Sequence, residues 1–180
     1  MLRITVKASE YFDDRTQTFV NIPEQTLELE HSLYTISKWE SKWHKAFLSK
    51  REKTQEETID YIKCMTMTEN VNPMVYLGLT AENHKAIKEY LEAKMTATCL
   101  PERNEQHRSG DTITAELVYY WMVSLQILFS CEHWHLNRLL TLIQVCNIKN
   151  KPPKKMSRGD LLRRNSALNA QRKAKHHTRG

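Results

Sequence analysis

The apolar residues change period near residue 31, and that change constrains the fold more than any other feature of the chain. Before it, Leu2, Ile4, Val6 and Ala8 alternate with Arg3, Thr5 and Lys7, and Thr26-Leu27-Glu28-Leu29-Glu30 alternates again. A period of two marks a strand with one face buried. Asp13-Asp14 reads as a turn, Thr18-Phe19-Val20-Asn21-Ile22 as a returning strand, and Pro23 as its end. The expectation for residues 1–31 is a β-hairpin or small antiparallel sheet of two or three strands.

Beyond that point the steps become three and four residues. Leu33, Ile36, Trp39 or Glu40, Trp43 and Phe47 follow a helix with Ser32 as its N-cap. Thr54-Gln55-Glu56-Glu57 has capping-box spacing, and Ile59, Ile62 and Met65 share a face of the helix it opens. Asn72-Pro73 and Gly78 punctuate a connector, and Thr80 caps a helix carrying Ile87, Tyr90 and Leu91. Residues 93–111 read as a loop. Thr112 or Thr114 opens the most apolar helix, with Ile113, Leu117, Tyr120, Trp121, Ser124 and Leu125. Ser130 is the expected cap of a last helix that buries Leu136, Leu139, Leu140, Ile143 and Cys146. The fold class expected is α+β, mainly α, with a helical body over residues 32–150.

Lys151-Pro152-Pro153-Lys154-Lys155 cannot continue a helix. It separates the body from a basic C-terminal arm, residues 151–180, in which Ser157-Arg158-Gly159-Asp160 opens a short helix through Leu161, Leu162, Leu168 and Ala174. The charge divides at nearly the same place. Residues 149–180 hold eleven Lys or Arg and one acid, Asp160, while the preceding 148 residues hold sixteen bases and twenty acids. The chain is a mildly acidic body with a strongly basic tail.

Composition narrows the chemistry. Four glycines leave no GxGxxG or GxxxxGK[ST] phosphate loop. Cys64, Cys99, Cys131 and Cys146 read as reduced thiols in a chain that opens on an alternating pattern with no signal-peptide core. No apolar run reaches the ~18 residues of a membrane helix. The expected location is therefore the cytoplasm. Cys131, His133 and His135 have the residue types of a zinc site, with Cys99 or Cys146 to complete it, but two histidines two residues apart face opposite ways on a helix and no CxxC accompanies them. His31, His44, His84 and His107 are scattered without a nucleophile turn or an oxyanion-hole loop. No catalytic residue, metal or cofactor is expected. Trp39, Trp43, Tyr119, Tyr120, Trp121 and Trp134 stand at helical spacing as core aromatics, or as anchors of a partner-binding face.

The arm has three readings: a phosphate-binding segment, a segment that docks on an acidic protein surface, and a solvated tail. Docking is favoured because Leu168, Ala167, Ala170 and three asparagine or glutamine side chains interrupt the basic run. The candidate partner-binding residues are Lys154, Lys155, Arg158, Arg163, Arg164, Leu168, Arg172 and Lys173.

From Leu27 to Gly180 the chain resembles small proteins of tailed phages and prophages encoded in the tail-morphogenesis region. The stretches that carry the resemblance are Leu27-Glu28-Leu29-Glu30-His31-Ser32-Leu33, Ile36-Ser37-Lys38-Trp39-Glu40-Ser41-Lys42-Trp43, Tyr119-Tyr120-Trp121-Met122, Trp134-His135-Leu136-Asn137-Arg138-Leu139-Leu140, and Arg164-Asn165-Ser166-Ala167-Leu168-Asn169-Ala170 with Thr178-Arg179-Gly180. The resemblance implies a non-enzymatic tail assembly chaperone. Such a protein coats the helical tape-measure protein until tail-tube subunits replace it, in the cytoplasm of the bacterial host. The alternatives are a structural tail or connector subunit of the virion, associating with its own copies, and a nucleic-acid-binding protein acting through the arm.

Overall fold

Pro23 has no N–H to donate, and the strand ladder breaks beside it. In the computed structural model, which describes residues 1–13, 17–99, 112–151 and 157–176, β1 (Leu2–Val6) pairs antiparallel with β4 (Gln25–Leu29) and β2 (Ser9–Asp13) with β3 (Thr18–Ile22). Val6 faces Gln25 and Ser9 faces Ile22, so Lys7-Ala8 on one side and Pro23-Glu24 on the other leave the register unchanged. The expected sheet of two or three strands is thus four short strands in two two-stranded sheets. Ala8 falls in the break, outside the first strand. The alternation decides the buried face: Ile4, Val6, Ile22, Leu27 and Leu29 are buried.

Helices follow: α1 (Leu33–Trp43), α2 (Gln55–Met65), a 3₁₀ helix (Pro73–Gly78), α3 (Ala81–Glu92), α4 (Ala115–Ser124), a second 3₁₀ helix (Phe129–His133), α5 (Leu136–Lys149) and α6 (Arg158–His176). The architecture is mainly α within the α+β class. The chain divides into two compact units, Met1–Asn147 and Ile148–Gly180. In the first, Leu33, Ile36 and Trp39 of α1 join Ile62 and Met65 of α2, Val118 and Met122 of α4, and Leu136, Leu139 and Ile143 of α5 in one core with the ribbon.

Most helix starts follow the sequence. Ser32, Thr54, Thr80 and Thr114 each accept a backbone N–H from the first turn. Three expectations are corrected. Phe47 is buried but lies beyond α1, because His44 adopts φ 52° and ends the helix. Ser130 caps nothing: it sits within the second 3₁₀ helix, and α5 starts six residues later. In α4 the buried residues are Ala115, Val118 and Met122, while Tyr120 is 64% exposed. That helix is apolar nearly all round, so the pattern alone does not set its phase.

The end of β4 is a hub. The Glu30 N–H donates to the Met65 carbonyl and the Met67 N–H to that of Glu28, at 2.9 and 2.8 Å. On the other side the Leu136 N–H donates to the His31 carbonyl at 2.8 Å. Residues 28–32 therefore fasten the ends of α2 and the start of α5 to the ribbon. The side chains of 135–137 close the end of α3. Asn137 Nδ2 donates to the carbonyls of Leu91 and Ala93, and His135 Nε2 lies 3.0 Å from that of Tyr90.

Candidate interaction surface

The sequence placed its candidate residues on the arm, and the structure gives most of them one element. Asp160 N–H donates to Ser157 Oγ at 3.1 Å and Ser157 Oγ donates back to Asp160 Oδ2 at 2.7 Å. Ser157 thus caps α6, but Asp160 takes the Ser157 hydroxyl where the expected capping box would have it take the Ser157 backbone N–H; α6 at 19 residues is also longer than the short helix expected. Arg158, Arg163, Arg164, Leu168, Arg172 and Lys173 all lie on α6 and all are exposed. Lys154 and Lys155 lie outside the described residues. On a helix Leu161, Asn165, Leu168 and Arg172 fall in one stripe at steps of four, three and four. The bases spread around the circumference, Arg172 lying on the stripe itself. No residue of α6 is buried. Its thin apolar stripe therefore supplies little packing to a helix of this length.

A second exposed surface was not singled out in the sequence. Tyr120 and Val123 on α4, with Leu128 and Phe129 just after it, are 64, 58, 74 and 57% exposed. Four large apolar side chains are thus exposed on the outward side of α4 and in the segment that follows it. Glu116 stands one turn before Tyr120 on the same outward stripe. Past Phe129, the Tyr119 hydroxyl donates to Glu132 Oε2 at 2.6 Å. The sequence signal was present in the apolar run 117–129, but that run reads equally as core. Of the six aromatics considered at first, Trp39 is buried, Trp43, Tyr119, Trp121 and Trp134 pack half-buried against the core, and only Tyr120 faces out.

The polar groups inside the body serve the fold. Glu57 is buried. Its Oε2 accepts the Thr54 N–H at 2.9 Å, and its Oε1 accepts Lys45 Nζ at 2.8 Å and an Arg51 guanidinium N–H at 2.5 Å. The hydrogen bond from Lys45, then that from the Thr54 backbone, holds its carboxyl down to about 2. Glu40 accepts the N–H groups of Phe47 and Ala115, each at 2.7 Å, and so ties the segment after α1 to the start of α4. Lys42 and Trp43 Nε1 both donate to Asp60.

His31 and His135 are buried with ring centroids 5.1 Å apart. His31 Nδ1 shares a 2.5 Å hydrogen bond with the Tyr61 hydroxyl, and the Tyr90 hydroxyl donates to Glu30 at 2.7 Å nearby. A carbonyl can only accept and an amide N–H only donate. The Tyr90 carbonyl at Nε2 and the Asn137 N–H at Nδ1 therefore set His135 as the neutral Nε2–H tautomer. Burial, helped by His135, lowers the His31 pKa to about 3, and burial lowers that of His135. His133 is exposed and lies 3.5 Å from Glu132. His135 is buried, and neither histidine lies within an α-helix, so the helical geometry expected for this pair does not apply. Among the described residues no group of three His, Cys, Asp or Glu could hold a metal ion.

The segment Met95–Thr98 and α5 enclose a wide-mouthed groove of about 460 Å³, lined by Trp134, Arg138, Leu142 and Val145. The Arg138 guanidinium lies 4.1 Å over the Trp134 ring. Among the described residues no helix is long and apolar enough to cross a membrane. No family model matches the chain, and no match was found among curated proteins or solved structures.

Proposed function

We propose that this chain is a non-enzymatic tail-morphogenesis protein of a tailed phage or prophage, binding the tape-measure protein or tail subunits as an assembly chaperone. The observation that carries the reading is α6: nineteen residues, basic on most of its circumference, with Leu161 and Leu168 on one stripe and none of them buried. A helix of that kind gains most of its order from what covers it. The exposed patch around Tyr120 and Phe129 adds a second apolar hold. Together they suit the reversible, non-covalent grip that coating a long amphipathic helix requires. The sequence resemblance supplies the identity of the cargo.

Co-expression with the tape-measure protein encoded beside it, followed by affinity capture at low salt, tests the reading. Co-purification is expected, and it should fall when residues 149–180 are removed or when Leu161 and Leu168 become Asp. No capture by the intact chain overturns the proposal. Presence in finished particles at a fixed copy number identifies a structural subunit instead. A steep salt dependence of binding to duplex DNA, abolished with residues 149–180, identifies a nucleic-acid arm.

A further inference from the structure

We propose that α6 of one copy docks on the Tyr120–Val123–Leu128–Phe129 patch of a second copy, and that the exchange is reciprocal. This inference concerns the free protein and holds whether or not the cargo is a tape-measure helix. Two exposed surfaces of matching chemistry occur in the same chain. One is a patch of four apolar side chains, each more than half exposed. Glu116 stands one turn before Tyr120 on α4, and Glu132, which accepts from the Tyr119 hydroxyl, follows Phe129 by three residues. The other is a helix with Leu161, Leu162 and Leu168 at 44, 63 and 39% exposure, set among Arg158, Arg163, Arg172 and Lys173. At 1.5 Å per residue α6 is about 28 Å long. The charge imbalance has the same sense over the chain, with twenty acids to sixteen bases before residue 149 and eleven bases to one acid after it. Unlike charges on two parts of one sequence attract between copies and set the register of contact.

Area argues for reciprocity. A contact of one helix with four side chains is small beside the roughly 800 Å² per partner of a standard interface. Two copies that each give a helix and receive one double the contact and close the assembly as a two-fold dimer. Docking also satisfies the demand that α6 makes on its surroundings, because it covers the leucine stripe.

The test is the association state of the full chain by sedimentation equilibrium at low and high salt. Two variants are used beside the wild type: a helix variant, Leu161→Asp with Leu168→Asp, and a patch variant, Tyr120→Asp with Leu128→Asp. All four positions are exposed, and the single substitution Leu128→Ser serves if the patch variant loses its helical signal. The wild type is expected to be a concentration-dependent dimer that weakens with salt. Each variant alone should associate about tenfold or more weakly, as loss of a central anchor does. An equimolar mixture of the two should associate better than either alone, since one intact helix then meets one intact patch. A wild type that stays monomeric at its solubility limit overturns the proposal, as do variants that dimerise like the wild type or a mixture no better than its parts.

Discussion

The two units of this chain keep their structure by different means. In Met1–Asn147 a set of leucines and isoleucines from the ribbon and the helices fills one core, the buried carboxylates of Glu40 and Glu57 each accept at least two hydrogen bonds, and no buried side-chain N or O among the described residues lacks a partner. In Ile148–Gly180 helix α6 relies on its cap and on propensity, with no buried residue. A residue change in the first unit therefore meets packing, whereas a change in α6 meets solvent. The contrast separates a part of the chain whose side chains pack on one another from a helix whose side chains are exposed. Five measurements sharpen or break it.

The largest effect belongs to Trp39, which is 1% exposed and donates from Nε1 to the Glu57 carbonyl at 2.9 Å. Trp39→Ala should lower unfolding stability in urea by about 3–5 kcal/mol. Leu168→Ala on α6 should stay within about 0.5 kcal/mol, the usual range of a surface change. Equal losses at the two positions would erase the contrast. Next comes Glu40→Ala, which strands the buried N–H groups of Phe47 and Ala115 and should remove on the order of 3 kcal/mol. Glu40→Gln should recover part of it.

Acid should act on the body through His31. Its pKa lies at about 3 in the fold against 6.5 when free, so the unfolded chain binds the extra proton first. Stability is then fully present above pH 6.5 and declines as pH falls toward 3, by about 1.4 kcal/mol per pH unit at most. His135, also lowered, acts in the same direction. His31→Asn, which keeps a hydrogen-bonding group beside the Tyr61 hydroxyl, should reduce the pH dependence of the urea midpoint between pH 6.5 and 5, and an unchanged slope would refute the assignment. Smaller still is Gly78→Ala. A Cβ there would lie 3.0 Å from Ile22 Cγ2 and 3.1 Å from Val6 Cγ1, both on buried β-branched side chains. A loss of about 1 kcal/mol is expected, measurable as a lower melting temperature. Finally, Ser157→Ala removes the cap of α6 and weakens that helix by about 1 kcal/mol. Helical circular dichroism should drop while the body's unfolding midpoint stays in place.

How far the sequence could be read depended on the range of the interaction. Ser32, Thr54, Thr80, Thr114 and Ser157 were legible because a cap joins groups three residues apart. The β3 strand was legible as Thr18–Ile22 because Pro23 closes it and its residues have strand chemistry. The pairing of β1 with β4 could not be read, since it joins residues up to 27 positions apart. Ser130 looked like a cap, but α5 starts beyond the 3₁₀ turn, where the Asn137 N–H donates to the His135 ring. For the candidate surface, the basic residues of α6 could be read directly from charge, while the patch at Tyr120 could not.

By itself the sequence determined the change from period two to period three-and-a-half, the capped helix starts, the break at Pro152-Pro153 and the opposite charge of the two parts. Each of these acts through neighbours on the chain or through bulk charge, which no fold can alter. Only the tertiary structure decided which side of α4 is buried, that Glu40 and Glu57 are structural, and that Leu128 and Phe129 face outward. Those outcomes depend on which distant segments arrive beside a residue, and an apolar helix offers core and surface the same side chains until its neighbours take one face.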